Sequence, residues 1–292
     1  MILKKILQRQ DLLGEGIIWL NKIQQIAWVD ILGQKFMLAE ADGSNIREYN
    51  QKNEIGAVLP AHDGKLILVL RHKILSFDEA SGKSETLWSA SGLEPKTNRF
   101  NDAGVDPLGN LWISSMDFDA QASSGNLWRL TPSGLCEKIV SDFRCLNGPV
   151  FSADGKTLYL GDTMAGEILA YDLEIGSGHL SNKRIFVDLK PFGGLPDGMT
   201  IDSHGNIWVC QITAGRVGCY SPNGKKISSI ACPVPVVTSC CFGGKKLKTL
   251  YATTARIILD PIDLDAYPDS GSLFAINLDV EGVPPNEFGA SC

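Results

Sequence analysis

DPLGNLWISSM, residues 106–116, joins a tight turn to an apolar strand, and the same construction recurs along the chain. The Asp-Pro-Leu-Gly run favours a turn, and the Leu, Trp and Ile that follow it favour a strand. Equivalent turn–strand units stand at 21–31, 62–70, 153–163, 202–212 and 243–254. The steps between turn glycines are 45 (Gly64 to Gly109), 46 (to Gly155), 50 (to Gly205) and 39 (to Gly244). A period of this size with several strands per repeat is typical of a β-propeller.

A second strand, each time followed by a polar turn, completes every repeat. These segments lie at 33–43, 72–82, 125–134, 166–176, 215–224 and 271–282. Both halves therefore count six units, which predicts an all-β, six-bladed propeller of four-stranded blades. We expect a single domain over residues 1–292. The last unit has little chain left for its outer strand, so the strand-like segment Ile2–Gln8 is predicted to complete the last blade and close the ring.

The overall composition excludes several classes of partner. The chain is 44% hydrophobic and 21% charged, with a net charge of -6 and no dense basic patch. This balance argues against nucleic acid or an anionic membrane as a partner. No stretch approaches the roughly 20 apolar residues of a membrane-spanning helix. The first ten residues, MILKKILQRQ, do not have the pattern of an export signal, so we expect a cytoplasmic protein.

The eight cysteines carry no metal-site pattern. No CxxC pair occurs, and no histidine stands at zinc-finger spacing from them. Without an export signal, we expect buried, reduced thiols rather than a disulfide framework.

Candidate functional residues precede the predicted inner strands. They lie in LGEGIIW (13–19), NRFND (98–102), LNGPVFS (146–152) and LPDGMTID (195–202). Asn101, Asn147 and Asp197 each stand eight residues before the turn glycine of their repeat, and Glu15 lies between two glycines. Equal offsets in equivalent blades place these side chains on equivalent rungs of the ring. We therefore expect them to converge on the channel axis.

Two carboxylates with one or two amide oxygens form an oxygen-rich set without sulfur or imidazole. Such donors suit one divalent metal ion, with Ca²⁺, Mg²⁺, Mn²⁺ and Zn²⁺ all possible from sequence. Glycines beside the candidate residues allow the backbone a close approach.

The four quoted runs resemble, in order and spacing, those of the gluconolactonase, regucalcin (senescence marker protein) and luciferin-regenerating enzyme family. Together with the repeats, this resemblance covers nearly the whole chain. It implies metal ligation by Glu15, Asn147 and Asp197, with Asp197 also acting as the catalytic general base. It further implies that Arg99 and Asn101 bind the substrate, although Asn101 could also reach the metal.

The chain departs from the family pattern at two places beside these residues. Many members have Asn-Asp-Gly where this chain has Asn101-Asp102-Ala103, and Asp102 is expected to support neighbouring groups or a turn. The loop 117–124, which begins at Asp117, has no firm counterpart and is expected to lie over the channel mouth. Asp117 is therefore a further candidate, and the small polar residues of the loop favour sugar substrates.

The resemblance and the residues together predict an enzyme that hydrolyses a sugar lactone to the aldonic acid. In this hypothesis a metal-activated water attacks the lactone carbonyl. Two alternatives stay open: a calcium-binding regulatory propeller without turnover, and a broader esterase or organophosphatase on the same fold. A small-molecule lactone is the expected partner, and the protein is expected to be a monomer or a small homo-oligomer. No G-x-S-x-G motif supports a serine nucleophile.

Overall fold

The computed structural model describes residues 1–290, and its strands form six antiparallel sheets of four strands each. After the first strand, β1 (Lys4–Leu7), blade 1 contains β2 (Gly14–Leu20), β3 (Gln25–Asp30), β4 (Lys35–Glu40) and β5 (Arg47–Asn50). Blade 2 contains β6 (Ile55–Pro60), β7 (Leu66–Leu70), β8 (Lys73–Asp78) and β9 (Lys83–Ser89). Blade 3 contains β10 (Asn98–Val105), β11 (Leu111–Asp117), β12 (Gly125–Leu130) and β13 (Cys136–Phe143).

The remaining blades follow the same plan. Blade 4 contains β14 (Leu146–Phe151), β15 (Thr157–Asp162), β16 (Glu167–Glu174) and β17 (His179–Asp188). Blade 5 contains β18 (Leu195–Ile201), β19 (Ile207–Ile212), β20 (Arg216–Tyr220) and β21 (Lys226–Ala231). Blade 6 contains β22 (Val237–Gly243), β23 (Thr249–Thr254) and β24 (Leu273–Asn277). Each inner strand packs against the inner strand of the next blade, and β22 packs against β2. The predicted six-bladed propeller is confirmed.

The chain's first strand closes the ring, as predicted. β1 pairs antiparallel with β24, where Lys4 lies opposite Ala275 and Lys5 opposite Phe274. It therefore supplies the outer strand of blade 6. The strand is shorter than the predicted segment because Ile2 and Leu3 turn to blade 5, where the Leu3 amide donates to the Ala231 carbonyl at 2.8 Å.

An aspartate explains why the quoted turn–strand unit recurs. The Asp106 carboxylate accepts hydrogen bonds from the Asn110 amide at 3.0 Å and from the Trp112 indole Nε1 at 2.8 Å. Asp202 does the same for Asn206 and Trp208 in blade 5. The carboxylate thus closes the turn and anchors a tryptophan of the next strand. The tryptophans that line the strands are buried, with exposures of 4% or less: Trp19, Trp28, Trp112, Trp128 and Trp208.

The last part of the chain, residues 278–290, forms no further strand and contacts several blades. The Ser203 amide donates to the Glu281 carbonyl, the Asn286 side chain donates to the Val105 carbonyl, and the Phe288 amide donates to the Pro60 carbonyl. This tail links blades 5, 3 and 2 at the end where the turns between their first and second strands lie. The sequence pattern did not predict its course, because its contacts are all long-range.

Helices play a small part in the described residues. A six-residue helix, α1 (Pro261–Ala266), and a 3-10 turn, Lys190–Phe192, lie in connecting segments. Over residues 1–290, no helix has the length and apolar character that crossing a membrane requires. The seven cysteines within this range are free thiols; five are buried as expected, whereas Cys136 and Cys232 are half-buried, and Cys292 lies outside the range.

Candidate metal centre

Each inner strand carries a register shift just after its start, and the candidate residues stand at this point. The first residue pairs across the blade with the end of the second strand, as Leu146 does with Asp162 in blade 4. The regular pairing is then interrupted, which is the mark of a β-bulge. At the interruption, one residue per blade is either the last paired residue or the first unpaired one: Glu15, Gly56, Asn101, Asn147, Asp197 and Thr238. These six positions form one ring around the axis, which explains the constant spacing in the sequence.

Backbones approach closely around this ring. A Cβ atom on Gly56 would lie 2.2 Å from the Asn101 carbonyl oxygen, and one on Gly104 would lie 2.5 Å from the Pro149 carbonyl oxygen. Neither contact can be relieved by moving a side chain, since both partners are backbone atoms. Glycine at these positions therefore lets neighbouring inner strands pack tightly enough for the ring side chains to meet.

The carboxyl groups of Glu15 and Asp197 lie close enough that each one perturbs the ionisation of the other. Both side chains are buried, with exposures of 7% and 3%. Burial, together with the charge of Asp102, raises the pKa of Glu15 to about 8. Burial and the charge of Glu15 raise the pKa of Asp197 well above its usual value. Two anions this close repel each other strongly, so the pair favours either a shared proton or a bound cation.

A directed chain of hydrogen bonds links three blades beside this pair. Arg99 Nη1 donates to Asn101 Oδ1 at 2.7 Å, and Asn101 Nδ2 donates to Asn147 Oδ1 at 3.0 Å. Asn147 Nδ2 donates to Thr163 Oγ1 at 2.8 Å, and Thr163 Oγ1 donates to the Pro196 carbonyl at 2.9 Å. Because arginine has no acceptor, it fixes the orientation of both amides in turn. The Asn147 oxygen is left with a second lone pair for a cation.

Arg99 is buried next to the carboxyl pair, with an exposure of 5%. Burial lowers the pKa of its guanidinium, while the charges of Cys145, Glu15 and Asp197 oppose that change. Its guanidinium donates to Asn101 Oδ1 at 2.7 Å and to the Phe100 carbonyl at 3.2 Å, so a buried cation stands beside the ring.

Asp102 lies one residue beyond the ring and holds the bulges of two blades together. Its carboxylate accepts from the Ala103 amide at 2.8 Å and from the Gly148 amide at 2.9 Å. Burial raises its pKa to about 6. Asp102 thus links the inner strands of blades 3 and 4 beside the ring.

Asp117 is not part of the ring. Its carboxylate accepts from the backbone amides of Gln121 and Ala122, which lowers its pKa and folds the loop 117–124 back on itself. The Arg144 guanidinium holds the same loop through the Ala120 carbonyl at 2.8 Å. The structure therefore gives Asp117 the role of shaping the loop.

Three residues at the centre escaped the sequence reading. Thr163 fixes the Asn147 amide, and Cys145 lies 3.8 Å from Asn147 Nδ2 and 3.7 Å from Met116 Sδ. The available signal was position: Cys145 stands two residues before Asn147, and Thr163 follows the end of the paired strand β15.

A cavity of about 240 Å³ begins at the residues that directly follow the ring positions. Its lining comes from the later parts of all six inner strands and from the tail segment 283–286. Among the candidate residues it reaches only Asp102, and its walls are mostly apolar. We place the candidate centre at the ring because the paired carboxyls, the amides and the buried guanidinium are there.

The donors of the ring fit a divalent cation. Glu15 and Asp197 supply two carboxylates whose mutual repulsion a cation would remove, and Asn147 supplies a preoriented amide oxygen. Within residues 1–290, no group of three or more His, Cys, Asp or Glu side chains is arranged for metal binding, so the amide is needed to complete this set. All-oxygen donors suit hard cations.

Comparison with known proteins identifies relatives along most of the chain. The model of the SMP-30/Gluconolactonase/LRE-like region matches residues 13–256, a range that contains every candidate residue. Regucalcin of Danio rerio is 31% identical over 97% of both chains. A Bacillus subtilis (strain 168) protein, named for a proposed sugar lactone lactonase activity, is 31% identical over 94% of both. The crystal structure of a calcium-binding protein, regucalcin of Agrobacterium tumefaciens, superposes with a TM-score of 0.93 at 25% identity, covering 98% of this chain and 97% of that one.

Proposed function

Because the chain belongs to the SMP-30/gluconolactonase/LRE-like family, we propose that it is a metal-dependent lactonase that opens a sugar lactone to the aldonic acid. The observation that carries this proposal is the buried carboxyl pair of Glu15 and Asp197, set between a donor-only guanidinium and an oriented amide. The lactonase name of the Bacillus subtilis relative supports the same reaction.

Glu15, Asn147 and Asp197 would hold the cation, with Asn101 at its edge. When bound, a divalent cation polarises the lactone carbonyl and makes a nearby water more acidic. It also lets both carboxyls of the pair stay ionised at neutral pH, since it compensates their charges.

The chain's own residues supply the proton transfers and the charge stabilisation. Asp197, once ionised, takes a proton from the attacking water at a carboxylate oxygen and returns it to the ring oxygen as the acyl C–O bond breaks. Arg99 donates to the lactone oxygens and stabilises the negative charge that develops on the carbonyl oxygen. An activated ester of this kind needs no covalent nucleophile.

A second candidate function is calcium binding without turnover. The calcium-binding regucalcin of Agrobacterium tumefaciens, which shares the fold, favours it. A binding protein has no need of a buried arginine beside the carboxyl pair. The position of Arg99 therefore favours the enzyme.

A lactone-hydrolysis assay separates these functions. Protein stripped with a chelator is given a panel of aldonolactones, and Ca²⁺, Zn²⁺, Mg²⁺ and Mn²⁺ are added back one at a time, with spontaneous hydrolysis subtracted. We expect metal-restored turnover that falls about 100-fold or more in Asp197→Asn and Glu15→Gln. Asp154→Asn, an exposed turn carboxylate at the far end of blade 4, is the matched control.

Two results would contradict the proposal. Tight metal binding with no turnover on any lactone would favour the binding protein. Turnover that survives both ring substitutions would mean that the site lies elsewhere.

A further inference from the structure

One wall of the candidate centre is apolar. Cys145 and Met116 lie beside the ring amides, with Cys145 Sγ 3.9 Å from Asn101 Nδ2 and 3.7 Å from Met116 Sδ. Their exposures are 8% and 5%. Met116 is also the cross-strand partner of Arg99, and directly opposed residues of antiparallel strands project to the same face. A group bound by Arg99 thus meets sulfur and methylene groups on this side.

Two loops that carry large apolar side chains begin beside this wall. Asp117 pairs with Asn98, and Asp162 pairs with Leu146, so the loops that follow β11 and β15 leave at the end where the inner strands begin. Phe118 stands in the first loop with an exposure of 36%, and the Arg71 guanidinium of blade 2 lies 5.4 Å from its ring. In the second loop, Met164 follows Thr163 and has an exposure of 42%. Large apolar side chains left open beside a polar centre are typical of a surface that contacts a ligand.

The polar groups on this side have few free donors. Asn101 Nδ2 is engaged by the Leu146 carbonyl and by Asn147, and Asn147 Nδ2 is engaged by Thr163. The Thr163 hydroxyl already donates to the Pro196 carbonyl. A substrate hydroxyl placed against this wall would therefore lose its hydrogen bonds to water without replacing them. A methyl or alkyl group would lose nothing and would bury apolar surface.

Building on the proposed lactonase function, we infer that the preferred substrate is a lactone with a hydroxylated ring and an apolar group outside the ring. The ring faces Arg99 and the carboxyl pair, and the apolar group packs against the wall formed by Met116, Phe118, Cys145 and Met164. A 6-deoxyaldonolactone, with a methyl group in place of the terminal hydroxymethyl, is the smallest member of this class. The polar residues of the loop 117–124 predicted a sugar substrate in general. Phe118 narrows this prediction to sugar lactones that carry an apolar group.

Two matched pairs of lactones test the inference. L-Fucono-1,4-lactone differs from L-galactono-1,4-lactone only by a terminal hydroxyl, and L-rhamnono-1,4-lactone differs from L-mannono-1,4-lactone in the same way. We expect kcat/KM of the metal-loaded enzyme to favour the deoxy member of at least one pair by about 10- to 100-fold, the discrimination that an apolar pocket achieves. Met164→Ser and Phe118→Ser should reduce this ratio at least about threefold, mainly through the KM of the deoxy lactone.

The substituted side chains are partly exposed, so both variants should fold. Ile227→Ser, on the outer strand of blade 5 with an exposure of 55%, is the matched control and should leave the ratio unchanged. A ratio of one or below for both pairs would overturn the inference while leaving the lactonase intact. So would a ratio that neither Met164→Ser nor Phe118→Ser changes. If no lactone of the panel is opened with any metal, the proposed function fails and the substrate class fails with it.

Discussion

The paired carboxyls of Glu15 and Asp197 make the metal-free protein sensitive to pH. Both pKa values are raised in the folded chain, to about 8 for Glu15, so the folded state binds more protons than the unfolded state between pH about 4.5 and 8. The stabilisation is fully present below the unfolded pKa and is lost as pH rises through the folded pKa. Divalent cations should bind more tightly over the same rise, because they replace the shared proton.

Thermal unfolding of the chelator-stripped protein from pH 5 to pH 9 checks this expectation. Relative to the Glu15→Gln, Asp197→Asn double variant, the melting temperature of the unsubstituted protein should fall with rising pH. The double variant carries the other titrating groups of the chain, so the difference isolates the pair. A difference that stays constant or grows with pH would refute the coupling.

Thr163 is expected to matter for metal affinity through the orientation of Asn147. Its hydroxyl accepts from the Asn147 side chain at 2.8 Å and donates to the Pro196 carbonyl at 2.9 Å. Thr163→Val keeps the shape but removes both bonds, and should weaken metal binding about tenfold. Thr163→Ser restores the hydroxyl and should recover most of the affinity. Equal affinities of the two variants in a metal titration would show that the hydroxyl has no such role.

At the level of the strands, the ring depends on backbone contacts that only glycine permits. A Cβ on Gly56 would lie 2.2 Å from the Asn101 carbonyl oxygen, so Gly56→Ala must push blade 2 away from blade 3. We expect a loss of about 1–3 kcal/mol in the free energy of unfolding, together with reduced activity. Gly176→Ala, where a Cβ meets nothing within 4 Å, is the matched control. Similar denaturant midpoints for both variants would contradict this view of the ring.

The strands also show where reading the sequence succeeds and where it stops. Asp106 and Asp202 act within their own turns, and a local pattern of this kind is visible in the chain. The constant offset of Asn101, Asn147 and Asp197 from the turn glycines is also a local pattern, and it predicted that the three residues lie on one ring. Gly56 and Thr163 act through partners in neighbouring blades, so the sequence around each residue does not reveal its role. The tail 278–290 was missed because its course is set by long-range backbone bonds.

For the whole molecule, the closure by β1 is expected to contribute stability. Deleting residues 1–7 removes a strand from blade 6, exposes the edge of β24 and removes Leu3, which is 1% exposed. The lost burial of Leu3 alone corresponds to about 1.5–3 kcal/mol, so the melting temperature should drop by several degrees. The unpaired edge should also promote self-association.

Lys5→Ala is the control for this deletion, because it changes the surface charge of β1 but leaves the strand in place. This substitution removes the exposed ion pair with Asp269 and a hydrogen bond to Gln8, which should together cost about 1 kcal/mol or less. Thermal unfolding with size-exclusion chromatography compares the two proteins. If the truncated chain has the same melting temperature as the Lys5→Ala protein and does not self-associate, the ring is closed without β1.

We propose that one divalent ion is held in the ring by Glu15, Asn147 and Asp197. Calorimetric titration of the stripped protein with Ca²⁺, Zn²⁺ and Mn²⁺ measures this most directly. One site per chain is predicted for at least one ion, lost in Glu15→Gln and in Asp197→Asn and retained in Asp154→Asn. No binding of any ion, or one site that survives both ring substitutions, would contradict the claim.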